Sequence, residues 1–368
     1  MEIIHLILGK ANPDRMNGVN RVVHELAGRQ CGAGKQVEVW GITKVPVHNY
    51  PARNYTTRLF ARPANPFCLH PALQAAIQSR QHAVFHLHGG FVPQMYMAAR
   101  LLKRHGIPFV FTPHGSYNTL AMHKSRWQKK LYFQWFESRL LQAAKAVHLL
   151  GKSEMDGLQE VFPNSKSVLI PYGYDLECLP LIGPVTGQFI IGYCGRIDIY
   201  TKGLKELLEG FAAFAVTHPG ARLWMIGDGA ERNRLTSIAA MLGITDKVVF
   251  WGAVYGKDKN NLLQQCQVFA APSRNEGLPT AVLEAASLGI PCMVTEATNT
   301  GNYIRQFEAG IVIQDTCGEQ IQNALTQLYQ RMREPEAVAA FCHNARRMVA
   351  EAFNWEKIVM DFNALYQC

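Results

Sequence analysis

The nine cysteines of this sequence, scattered from Cys31 to Cys368, form no Cys-x-x-Cys pair. Several sit inside apolar runs, which points to buried free thiols in a reducing cytosol rather than a disulfide framework. No apolar run approaches the ~20 residues that span a bilayer. The start, Met1 to Leu8, lacks a basic segment and a small-residue cleavage site, so it reads as a first strand and not as a signal peptide. There is no short-period repeat and no low-complexity tract. Excess positive charge is missing from the second half: residues 1–180 carry 21 Lys and Arg against 10 Asp and Glu, residues 181–368 carry 16 against 18. The net charge of +9 therefore belongs to the first half. It marks either a soluble basic face or a surface for an anionic partner: lipid, a phosphate-bearing substrate or nucleic acid.

What is present is an ordinary soluble composition, 48% hydrophobic and 18% charged, in a 368-residue chain long enough for two domains. Strand and helix patterns alternate. Strands are expected at Ile3–Leu8, Val37–Ile42, His82–His88, Pro108–Thr112, Ala146–Leu150 and Ser167–Ile170, with a helix at Val19–Ala27 and a long one from about His123 to Ala143. Residues 43–70, with four prolines, read as irregular. A stretch rich in proline and glycine, Leu179–Gly187, marks a domain boundary, after which the pattern restarts at Phe189–Cys194. The whole predicts an α/β fold with mostly parallel sheets, whose ligands bind beyond the carboxyl ends of the strands. Asn17-Gly18, His88-Gly89 and His114-Gly115 fall at such ends.

One stretch stands out, Ala271 to Ala286. A buried strand, Cys266–Ala271, runs into a turn holding Gly277 and Pro279, and a helix follows from Thr280. Free N–H groups and the positive end of the macrodipole at such a helix mouth suit a phosphate. Glu276 and Glu284 frame it. Taken alone, the stretch is better read as an ordinary strand-to-helix loop with two solvated glutamates. Gly195-Arg196 and Lys202-Gly203, after the first strand of the second domain, add two cations. Arg offers fork-like contacts and Lys a point charge, as a diphosphate requires.

These residues resemble a known family. Gly195-Arg196…Lys202-Gly203-Leu204, with Leu207 to Phe211, Gly227-Asp228-Gly229 and Ser273-Arg274-Asn275-Glu276-Gly277-Leu278-Pro279…Glu284-Ala285 are similar to successive landmarks of the retaining glycosyltransferases of family 4. Ile170-Pro171-Tyr172-Gly173-Tyr174-Asp175 and Asn17-Gly18-Val19-Asn20-Arg21 resemble two more, in the same order. The resemblance implies the GT-B fold: two Rossmann-like domains, 1–180 for the acceptor and 181–352 for the nucleotide sugar, a deep interdomain cleft, and a last helix, 353–368, crossing back. It implies sugar transfer with retention and without a metal, and no Asp-x-Asp triplet occurs in the chain. Arg196 and Lys202 would grip the diphosphate, Glu284 the ribose, Glu276 the sugar. The N–H groups of Gly277 and Leu278 would contact the donor, His114 would lie beside the sugar, and Gly18 and Gly195 would admit the donor. Arg196 and Lys202 would stabilise charge on the leaving diphosphate. The chain departs from the family at Asn17, where Gly is usual, and at Tyr172, where Asn is.

The implied partners are a nucleotide-diphosphate sugar as donor, no separate cofactor, and a glycan or lipid-linked acceptor in surface polysaccharide or lipopolysaccharide synthesis, in the cytoplasm or at the inner membrane face. Lys124 to Phe136 mixes basic and aromatic residues on one helix; core packing of the aromatics is the favoured reading, contact with an anionic membrane the other. A nucleotide-sugar epimerase of the same architecture would turn over donor without acceptor. A non-catalytic glycan-binding protein would bind no donor. Nucleic-acid binding has a pI near 9.1 in its favour and no recognition motif.

Overall fold

The computed structural model describes residues 1–12, 18–118, 122, 126–176 and 187–367. They divide into two compact units, Met1–Tyr172 with Trp355–Cys368, and Gly173–Asn354. The stretch 179–187 that reads as a linker lies largely outside the described residues, as does Asn17. The division falls at Tyr172/Gly173 for a physical reason. Tyr172 stacks on Phe362 of the last helix in the first unit, while the Tyr174 N–H donates to the Phe353 carbonyl in the second.

The first unit holds seven parallel strands: β1 Glu2–Leu8, β2 Gln36–Thr43, β3 Thr56–Ala61, β4 Ala83–His88, β5 Phe109–Thr112, β6 Ala146–Leu149 and β7 Ser167–Leu169. Their order is β3-β2-β1-β4-β5-β6-β7. The second holds β8 Phe189–Cys194, β9 Ala221–Ile226, β10 Val248–Gly252, β11 Val268–Ala271, β12 Cys292–Thr295 and β13 Gly310–Ile313, in the order β10-β9-β8-β11-β12-β13 and again parallel. Both are doubly wound, with the chain reversing its direction of travel between β1 and β4 and between β8 and β11. A crevice opens beyond the strand ends at such a switch point. The central strands β11 and β12 are buried at every position, so they are continuous apolar runs rather than alternating ones.

The reading of 43–70 as irregular is corrected by β3. Prolines flank that segment, and as an edge strand β3 shows only a weak apolar signal. The long helix of the first unit runs Arg126–Tyr132, a π-helical turn Phe133–Glu137, then Ser138–Ala143. Its aromatics divide. Phe133 is buried in the core, but Trp127, Leu131 and Trp135 are 83%, 59% and 55% exposed. The favoured core reading therefore fails for three large apolar residues, which follow one another at intervals of four.

Candidate functional site

In the second unit the two loops that matter leave adjacent strands, β8 and β11, at the switch point. Asp198 caps the short helix Ile199–Lys202, accepting from the Thr201 N–H at 3.0 Å. That turn ends on Gly203, at φ +66°, and carries Lys202 inward to an ion pair with Glu276 from the loop after β11. Ser273 Oγ donates to the same carboxylate at 3.2 Å. Asn299 holds the turn from behind, donating to the carbonyls of Glu276 at 2.8 Å and Gly277 at 2.7 Å. Gly203 is required sterically: a Cβ there would stand 2.3 Å from the Pro272 carbonyl oxygen and 2.4 Å from Thr316 Cγ2. Arg274 completes the tie between the loops. Its N–H donates to the Thr201 carbonyl at 2.8 Å, and its guanidinium reaches the Tyr200 carbonyl at 2.9 Å and Glu206 at 2.9 Å.

Among the residues expected from the sequence, Lys202, Glu276, Gly277 and Leu278 thus share one corner. Arg196 does not join the Lys202–Glu276 pair. It follows Gly195, is 65% exposed and pairs with Asp198 at 3.1 Å. Glu284 lies one turn into the helix Thr280–Ser287, buried, against Lys259 Nζ at 2.7 Å. Lys259 comes from the helix Gly256–Leu263, which the sequence reading passes over because GKDKNNLL has too few apolar residues to show a period.

In the first unit, Gly18 opens the helix Gly18–Gly32, and a Cβ on it would meet nothing within 4 Å among the described residues. His114 follows β5 with φ +56° and Gly115 with φ +79°, both left-handed, an unfavourable conformation for histidine. Glu154 is buried in the first turn of the helix Lys152–Val161. Its carboxylate accepts from the Leu150 N–H at 3.3 Å, while burial pushes it up to about 7. Tyr172 stacks on the His114 ring, with centroids 5.9 Å apart. The residue that departs from the family pattern thus backs this histidine.

His88 Nδ1 lies 2.9 Å from His114 Nε2, and His5 Nδ1 lies 3.0 Å from His88 Nε2. His5, His86, His88 and His148 are fully buried, His114 partly exposed. Burial keeps all five neutral: His5 and His148 fall to about 4 and His114 to about 3, and His86 and His88 lie well below the usual 6.5. The alternation Phe85-His86-Leu87-His88 on β4 is the available signal, since alternate residues of a strand share a face.

Residues 16–178 match the family model described as Glycosyltransferase Family 4, and residues 181–348 match Glycosyl transferases group 1. The chain is 28% identical over 320 residues, 82% of either chain, to the GDP-mannose:cellobiosyl-diphosphopolyprenol alpha-mannosyltransferase of Xanthomonas campestris. It is 23% identical over 317 residues to the UDP-Gal:alpha-D-GlcNAc-diphosphoundecaprenol alpha-1,3-galactosyltransferase of Escherichia coli, covering 80% of this chain and 78% of the relative. Its fold matches that of HepE from Anabaena, solved with UDP and glucose, at a TM-score of 0.75 and 14% identity, over 100% of this chain and 99% of the other.

Proposed function

The chain belongs to the group 1 glycosyltransferases of GT-B fold, and we propose that it moves a sugar from a nucleotide-diphosphate donor to a lipid-linked glycan acceptor, in polysaccharide or lipopolysaccharide assembly. The observation that carries this reading is the Lys202–Glu276 pair at the β8/β11 switch point. A cation, a carboxylate and the start of a helix meet there, at the strand ends where doubly wound sheets take nucleotides. As the bond from sugar to diphosphate breaks, negative charge grows on the leaving phosphate. Lys202, Arg196 and the N–H groups of Gly277 and Leu278 meet that charge, in place of a metal. Glu276 serves the sugar, Glu284 the ribose and His114 the transferred sugar. Transfer proceeds with retention at the anomeric carbon.

Two relatives act on diphosphopolyprenol-linked sugars, which supports the acceptor class. The stripe Trp127, Leu131 and Trp135, with Lys130 exposed beside it, supports work at an anionic membrane surface on the cytoplasmic side. No helix among the described residues is long and apolar enough to cross a membrane.

The test is a transfer assay with UDP- and GDP-sugars and a polyprenyl-diphosphate glycan, with and without EDTA, and NMR of the product anomer. The reading requires acceptor-dependent transfer, retention, indifference to EDTA and loss in Lys202→Ala. Donor turnover to an epimer without acceptor would replace transfer with epimerisation, and inversion or loss of activity in EDTA would overturn those two assignments.

A further inference from the structure

The buried histidines of the first unit belong to one chain of eight hydrogen bonds. His5 on β1, His86 and His88 on β4, Thr112 on β5 and His148 on β6 take part, and the opposite face of these strands is apolar, with Ile4, Leu6, Phe85, Leu87, Phe111 and Val147. Gln30 from the helix Gly18–Gly32 and Tyr366 from the last helix, Trp355–Gln367, complete the chain.

The direction of every bond follows from one end. The Ile170 carbonyl can only accept, so His148 Nε2, 2.6 Å away, carries a proton. A neutral His148 then offers only a lone pair at Nδ1, and the Thr112 hydroxyl donates to it at 2.8 Å. That hydroxyl has spent its proton, so His86 Nε2 donates to it at 2.6 Å. His86 Nδ1 accepts from the Tyr366 hydroxyl at 2.8 Å, and the Gln30 amide donates to Tyr366 at 3.2 Å. Gln30 Oε1 accepts from His5 Nε2 at 2.7 Å. His5 Nδ1 accepts from His88 Nε2 at 3.0 Å, and His88 Nδ1 accepts from His114 Nε2 at 2.9 Å. With the Gln30 amide turned end for end, the reverse direction is self-consistent everywhere except at Ile170, where two lone pairs would face each other at 2.6 Å.

We propose that this relay positions the proton of His114: anchored on the Ile170 carbonyl, it fixes hydrogen on Nε2 and leaves Nδ1 as an acceptor for a substrate hydroxyl. The last clause rests on the reading of His114 as a group that serves the transferred sugar. Ile170, His148, Thr112, His86, Tyr366, Gln30, His5 and His88 are positioning residues that act through His114. His5, His86 and His88 also offer three ring nitrogens within 4.8 Å of one another, the makings of a metal site. Their nitrogens are already committed to the relay, and a bound ion would break it.

Two-bond 15N–1H correlation spectra of the full chain, labelled at histidine and held near pH 8 without donor, report each tautomer directly. His114 should be a single Nε2–H tautomer in the native chain and in Thr112→Ser, which keeps the hydroxyl. Thr112→Val cuts the relay from its anchor, so both directions become allowed and His114 should become a mixture. Tyr366→Phe should do the same from a different element, which keeps the test open if one variant does not fold. With donor and acceptor supplied, kcat/KM should fall at least tenfold in Thr112→Val and recover in Thr112→Ser. A native His114 protonated on Nδ1, a His114 unmoved in folded Thr112→Val or Tyr366→Phe, or a stoichiometric metal ion on His5, His86 and His88 in the purified chain would overturn the relay. A mixed tautomer with unchanged kcat/KM would overturn its use toward substrate. The spectra need no turnover, so a chain inactive with every donor would remove the reading of the function and leave the relay standing.

Discussion

Lys259 Nζ lies 2.7 Å from the Glu284 carboxylate, and the two side chains are only 14% and 4% exposed. A buried pair of this kind costs little while intact and much when one partner is removed, about 3–5 kcal/mol. Lys259→Met should therefore lower the melting temperature sharply, and adding Glu284→Gln should restore most of the loss. Donor affinity should not return in the double variant, because Glu284 is the proposed ribose ligand. Calorimetry and donor titration separate the two effects. Recovery of both together would remove Glu284 from the donor site.

Lys202 and Arg196 should separate by stability rather than by activity. Arg196 pairs with Asp198 in the open, and such pairs contribute about 0–1 kcal/mol, so Arg196→Ala should melt close to the native chain. Lys202→Ala leaves Glu276 without its cation and should melt lower. Both should lower kcat by about 10²–10³-fold if both meet charge in the transition state. Full kcat in either variant would take that residue out of the chemistry.

The stripe Trp127, Leu131 and Trp135 gives a clean surface test, since exposed side chains can be changed without touching the core. Trp127→Ser with Trp135→Ser should abolish flotation with vesicles rich in anionic lipid and leave the melting temperature unchanged. Binding should weaken with salt, as attraction to anionic lipid is screened. Equal flotation of native and double variant would show that another surface, or none, meets the membrane.

Acid should destabilise the chain through its first unit. The five relay histidines bind protons more weakly folded than unfolded, where the ordinary value is 6.5. Their contribution is complete above 6.5 and is lost as pH falls from there toward about 4, because the unfolded chain takes up more protons. Glu137 and Glu154, raised by burial to about 7 from 4.5, act oppositely and gain as pH falls through that range. Each group changes stability by at most about 1.4 kcal/mol per pH unit, so five imidazoles outweigh two carboxyls. Melting temperature should fall between about pH 6.5 and 5, and a rise would mean that the carboxyls dominate.

The corner of Lys202 and Glu276 is legible in the sequence because loops that follow strand ends keep their residues contiguous. Lys202 sits next to Gly203, and Glu276 next to Gly277, whatever the rest of the sheet does. The relay is not legible, because its members lie between His5 and Tyr366 and meet only when four strands and two helices assemble. Alternation on β4 places His86 and His88 on one face, but nothing local links them to Gln30. Lys259 is hidden for another reason: its helix is polar and is held by tertiary contact rather than by a periodic face. The stripe at Trp127 is visible but misleading, since periodicity says that residues share a side and not whether that side is covered.

Gly203 is wedged against Pro272 and Thr316, and Arg274 is bound to the carbonyls of Tyr200 and Thr201, so the loops after β8 and β11 make one mechanical piece. On the proposed reading of this corner as the donor site, donor preference is a trait inherited in a block. Transplanting either loop alone from a relative with another nucleotide sugar would bring a side chain or a backbone carbonyl into a space its partner already fills. A graft that changes the donor would have to carry residues 195–206 and 272–279 together, along with Thr316.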